Sequence, residues 1–72
     1  MLTISPRDML LARMQAFTYS HVALRHMAYA EQRAVDALAL FDGLVEDHPT
    51  DSPGFWANRA FEQFEQACAD LG

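Results

Sequence analysis

The chain has 72 residues, 51% of them hydrophobic and 21% charged, with a formal net charge of −5. A domain of this size buries only about 60% of its unfolded surface, so we expect self-association or a partner to add stability. The single cysteine, Cys68, excludes an internal disulfide, and an acidic chain without a basic cluster is unsuited to binding nucleic acid.

The apolar runs are too short to form a membrane span. The longest, residues 37–41, is far below the ~18 residues that a spanning helix needs. The first eight residues lack the basic-then-apolar layout of a signal peptide. These features predict a cytoplasmic protein with a reduced cysteine and no membrane partner.

A long N-terminal helix is predicted over about 6–47. Ser5 is suited to cap it, Pro6 fits the first helical position, and Asp8 resembles the acidic member of a capping box. No glycine or proline occurs from residue 7 to residue 42. A row of large apolar residues follows at helical spacing, and a second, alanine-rich row lies beside it. The first row contains Leu10, Met14, Phe17, His21 and Leu24.

The length of this helix leaves two architectures open. A continuous helix would span about 60 Å and would need a coiled-coil-like partner. A break near residues 30–33, where Glu31 interrupts the large apolar row, would instead give a compact three-helix chain. The absence of glycine and proline favours the continuous helix, so we predict a helical hairpin.

Residues 37–49 resemble one helix of a tetratricopeptide repeat. Ala37, Phe41, Leu44 and Pro49 have the spacing of that repeat's A-x3-F-x2-A-x4-P stretch, with Leu44 in place of a small residue. The resemblance covers about 15 residues and does not extend upstream to the repeat's Leu-Gly pair. It implies a peptide-binding helical scaffold or a small chaperone, and it assigns no site residue.

The stretch Glu46–Trp56 contains acids, a histidine, two prolines and a glycine. We interpret residues 48–52 as a connector, since no metal-ligand spacing is present and Ser52-Pro53 can start a second helix over about 53–70. Acids at the end of the first helix oppose its macrodipole. Either the next helix begins close by and favours them, or they form a patch for an arginine-rich partner.

The remaining reactive side chains do not form a site. His21 and His26 point about 140° apart on a helix and cannot chelate together. We expect His21 to be a buried polar group in the apolar row, Trp56 to anchor the hairpin, and Cys68 to fill apolar space. The sequence therefore predicts a protein that is not an enzyme and that has no cofactor or bound metal.

The functional prediction follows from apolar coverage. A second helix of about 18 residues cannot cover both rows of a 40-residue helix, which leaves an apolar stripe larger than a monomer usually exposes. We therefore predict an all-α homodimer and an interaction module, such as an adaptor, assembly chaperone or regulator, that binds a partner helix. The predicted binding residues are Leu10, Met14, Phe17, His21 and Leu24. The alternative is an acidic inhibitor that mimics nucleic-acid charge or masks a basic site.

Overall fold

A computed structural model describes residues 3–71 of the chain. Within that range it contains α1 (Pro6–His21), a 3-10 turn (Leu24–His26), α2 (Met27–Asp47) and α3 (Pro53–Cys68), and no strand. All three helix pairs are in contact, so the fold is a compact three-helix chain. None of the helices in the described part is long and apolar enough to cross a membrane.

The first helix begins where the sequence predicts. Ser5 is the N-cap, and its Oγ accepts a hydrogen bond of 3.1 Å from the backbone N–H of Asp8. Pro6 occupies the first helical position, where its missing N–H leaves no hydrogen bond unmade.

The prediction of one continuous helix over 6–47 is wrong. The backbone becomes extended at Val22 (φ −109°, ψ 126°) and stays extended at Ala23 before the 3-10 turn. The three-helix alternative has the right architecture, but its break is misplaced, because residues 30–33 lie inside α2. The break falls at 22–26.

Local chemistry explains a break without glycine or proline. The hydroxyl of Thr18 donates a 2.8 Å hydrogen bond to the Met14 carbonyl, a bond from residue i to i−4 that tends to bend helices. Val22 is β-branched, which favours extended backbone, and its side chain is buried in the core. Folding the chain back here also buries α1 against α2 and α3, which outweighs the lost helical hydrogen bonds.

The core lies where α3 packs against both preceding helices. Leu10 and Met14 of α1 meet Phe64 of α3, and these are the largest fully buried side chains. Alanines such as Ala30 and Ala60 are also fully buried, which lets helix backbones approach closely. α3 runs parallel to α1. Arg13 of α1 contacts Asn58 of α3, and Phe17, further along α1, contacts Phe61 and Phe64, which lie further along α3.

The acidic connector forms the corner that the sequence predicts. α2 ends at Asp47, and His48 closes it with its backbone N–H and its ring, both of which donate to the Leu44 carbonyl, at 3.0 and 2.8 Å. The His48 ring also lies 4.4 Å from the Trp56 ring of α3. Trp56 therefore anchors α3 to the corner. α3 ends at Cys68, slightly short of the predicted residue 70.

One of the acids near the end of α2, Asp42, has a partner that the sequence analysis did not predict. Asp42 accepts a 3.0 Å hydrogen bond from the Arg7 guanidinium at the start of α1. This ion pair raises the pKa of Arg7 above its ordinary value, first through the hydrogen bond and then through the charge of Asp42. It also joins the beginning of α1 to the end of the antiparallel α2.

Candidate partner-binding groove

The predicted binding residues do not form one surface. Leu10 and Met14 are buried in the protein's own core, so neither belongs to an exposed apolar stripe. Phe17 is half-buried and packs edge-on against Phe61 and Phe64 at ring distances of 6.3 and 5.7 Å. Assigning all five predicted residues to one exposed stripe therefore requires correction.

The two other predicted residues lie at the end of α1. His21 is exposed rather than buried, but it is hydrogen-bonded: its Nδ1 donates to the Phe17 carbonyl at 3.3 Å, and its ring stacks on the Phe17 ring at 4.6 Å. Leu24 lies in the 3-10 turn and is 86% exposed. The coverage argument failed because it assumed a rod, whereas the break at 22–26 lets α2 and α3 enclose the apolar side of α1.

An open apolar groove lies between α1 and α2, and no residue of α3 lines it. We call it the α1/α2 groove; its volume is about 340 Å³. Its α1 side is lined by Leu11, Met14, Gln15, Thr18 and Tyr19, and its α2 side by Met27, Glu31, Ala34, Val35 and Leu38. The groove is therefore built entirely from the helical pair that α3 covers elsewhere.

Helical spacing places these residues together. On α1, Leu11, Gln15 and Thr18 are separated by four and three residues and so share one side of the helix. On α2, Glu31 and Val35 are separated by four, and Val35 and Leu38 by three. The groove walls are open to solvent, since Tyr19 is 80% and Val35 58% exposed.

The composition of the groove suits a protein contact. Its floor includes Met14 and Met27, whose flexible thioether side chains adapt to irregular partners. Thr18 lines the groove, but its hydroxyl already donates to the Met14 carbonyl, so it presents little unsatisfied polarity. The polar groups left on the walls are the amide of Gln15, the hydroxyl of Tyr19 and the carboxylate of Glu31.

Neither this groove nor the rest of residues 3–71 presents the side chains of a metal centre. No group of three His, Cys, Asp or Glu residues lies close enough there to hold a metal ion. His48 cannot offer its Nδ1 atom to a ligand, because that atom bonds to the Leu44 carbonyl. The groove itself is lined by no cysteine, serine or histidine nucleophile.

Cys68 lies in the core rather than at a reactive surface. Burial raises the pKa of its thiol, and the charge of Arg33 opposes that effect only partly. Desolvation is the main cause of the raised pKa. The position of Cys68 in the core agrees with the prediction that it fills apolar space.

Met14 is the one groove residue among the predicted binding residues. The others were missed because sequence periodicity does not show which side of a helix the fold covers. The available signal was the row Leu11, Gln15, Thr18, with Tyr19 beside it, which lies next to the large apolar row. That row contains fewer large apolar residues, so the neighbouring row seemed the better candidate.

Comparisons with protein-family models, curated proteins and solved structures found no match to this chain. The resemblance of residues 37–49 to a tetratricopeptide-repeat helix is thus a likeness of spacing that no family match supports. The fold and the groove define the class to which the chain can be assigned: a small all-α protein of three packed helices with an open interhelical groove.

Proposed function

We propose that the protein is a non-enzymatic interaction module that binds a partner helix in the α1/α2 groove. The observation that carries this proposal is the pair of grooves that α1 and α2 form between them. One is filled by α3, and the other, lined by Leu11, Val35 and Leu38, is open. The packing of α3 against one side of this pair supports the proposal that a partner helix can pack against the other side.

The size of the groove agrees with a helical ligand. The α1 wall from Leu11 to Tyr19 is about 12 Å long, which corresponds to roughly two turns of helix. A helix of two to three turns offers apolar anchors at positions i, i+3 or i+4, and i+7 on one side. The groove is apolar over most of its lining and open along its length, as such a ligand requires.

A display selection tests the proposal. A library of helical 14-residue peptides, with Lys, Glu and Gln equally represented at the polar positions, is selected against the folded protein. Binding of the selected peptides is then measured by fluorescence anisotropy. Selected peptides should lose at least about tenfold in affinity for Val35→Asp, since a buried unpaired carboxylate is costly.

Leu40→Asp is the matched control. Leu40 lies on the same helix and is 40% exposed, but it lines the space between α2 and α3. Peptides should bind this variant as they bind the unsubstituted protein. If no peptide is selected, or if Leu40→Asp weakens binding as much as Val35→Asp, the proposal is wrong. Binding that resists Val35→Asp but disappears in moderate salt would favour the acidic inhibitor.

The occupant can be a second copy of the chain, as the sequence prediction of a homodimer requires, or a helix of another protein. Both would use the same apolar anchors. The charges around the groove discriminate between them.

A further inference from the structure

The rim of the α1/α2 groove is acidic. Glu31 lines the groove itself. Asp8 precedes Leu11 by three residues on α1, and Asp42 and Glu46 continue the side of α2 that carries Glu31 and Val35. All four carboxylates belong to exposed residues. A partner that lies along the groove therefore passes beside several negative charges.

The protein's own cations neutralise little of this rim. Among the described residues, Asp42 is the only one of the four with an ion-pair partner, Arg7. Asp8, Glu31 and Glu46 form no ion pair there. Within the described chain, the groove thus combines an apolar floor with the unpaired carboxylate of Glu31, and Asp8 and Glu46, also without an ion pair, lie along the same sides of α1 and α2.

Four of the five arginines make side-chain contacts within the molecule. Arg7 pairs with Asp42, Arg13 bonds to Asn58 and lies over Phe61, Arg33 pairs with Asp36 and lies over Tyr29, and Arg59 is near Glu62 and Phe55. Within residues 3–71, Arg25 is the one arginine that forms no ion pair, no side-chain hydrogen bond and no contact with an aromatic ring. A second copy would bring this one cation and a net charge of −5 to an acidic groove. Charge therefore disfavours self-pairing.

We infer that the occupant of the groove is a cationic amphipathic helix of another protein, with Lys or Arg residues flanking a stripe of apolar anchors. This inference rests on the proposed function. The apolar anchors fill the groove between Leu11 and Val35, and the flanking cations meet Glu31 and the neighbouring rim. Such a helix complements both the floor and the edges, whereas a neutral or acidic helix complements only the floor.

The same display selection tests the inference through the charge of its products, because Lys, Glu and Gln enter the library in equal proportions. Selected peptides should carry net positive charge beside their apolar stripe. Glu31→Lys should weaken their binding about five- to tenfold, the range for losing one exposed charge contact and gaining a repulsion. Higher salt should reduce the affinity for the unsubstituted protein more than for Glu31→Lys.

Glu62→Lys is the matched control, since it makes the same change in net charge at an exposed position of α3. It should alter binding by less than about twofold, because exposed charges separated by more than a Debye length are screened. Light scattering over micromolar dilutions of the protein alone should give the mass of a monomer.

Three results would overturn the inference. Selected peptides that are neutral or acidic, or that bind Glu31→Lys as well as they bind the unsubstituted protein, would show that the groove does not select a cationic helix. Such peptides would leave the proposed function standing if they still fail to bind Val35→Asp. A dimer that becomes monomeric on Val35→Asp substitution would show that a second copy occupies the groove.

Discussion

The two sides of the α1–α2 pair differ in one respect that decides their roles. On one side, Leu10 and Phe41 are buried in one core cluster with Phe64 of α3. On the other, Leu11 and its neighbours line a groove that no part of the described chain covers. We call these the covered side and the open side.

The difference shows that apolar character alone does not separate core from contact surface in this protein. Leu10 and Leu11 are adjacent and chemically identical, yet one is fully buried and the other lines the groove. What separates them is the aromatic side chains of α3, which reach only the covered side. The open side therefore has the construction of a core that lacks its third helix.

The largest expected effect is on the covered side. Phe64→Ala removes a ring that is 1% exposed, so it should lower the free energy of unfolding by about 3–5 kcal/mol. At roughly 0.05–0.15 kcal/mol per residue, a chain of 72 residues has about 4–11 kcal/mol of stability, so this variant should lose a large part of it. Urea titration followed by circular dichroism measures the change. Phe55→Ala, at a ring that is 52% exposed on the same helix, is the control and should retain most of the stability.

Leu10 and Leu11 allow the covered side and the open side to be compared within one turn of α1. Leu10→Ala should cost about 2–5 kcal/mol because it leaves a cavity in the core. Leu11→Ala should cost less than about 1 kcal/mol, since the open side can relax into solvent, but it should weaken peptide binding. Paired urea and anisotropy titrations separate the two effects. Equal losses of stability would mean that the open side is part of the core.

The smallest effect concerns the single thiol. Because burial raises the pKa of Cys68, the folded protein holds the thiol proton more tightly than the unfolded chain does. Its contribution to stability is complete below the ordinary pKa of 9.0 and is lost as the pH rises through the higher folded value. At pH 8, Cys68 should react with a disulfide reagent about a hundredfold more slowly than in urea.

A second thiol on the open side provides the contrast for this measurement. In Val35→Cys, the new thiol should react at the rate of an exposed cysteine while Cys68 remains protected. If both thiols react quickly in the folded protein, α3 does not seal the covered side as the structure indicates.

The sequence predicted what depends on local chemistry. The Ser5-Pro6 helix start, the corner after Asp47 and the apolar setting of Cys68 follow from capping, proline geometry and residue spacing. The all-α class follows from helical periodicity, which no strand pattern could imitate over this length.

The break at 22–26 and the location of the groove were not predictable in the same way. Thr and Val are both common inside helices, so Thr18 and Val22 do not by themselves predict a helix end. They end α1 here because packing against α2 and α3 stabilises the turn that follows. Periodicity placed Leu10 in the large apolar row and left Leu11 in neither row, without showing which side of α1 would be covered by α3. That choice is made by tertiary packing.

The most direct test of the open side is an NMR titration of the methyl-labelled protein with a selected peptide. The account predicts that the methyl resonances of Leu11, Val35 and Leu38 shift with the peptide concentration, while those of Leu40 and Leu44 on the α2–α3 side remain in place. Shifts confined to Leu40 and Leu44 would show that the peptide binds elsewhere and would contradict the assignment of the α1/α2 groove.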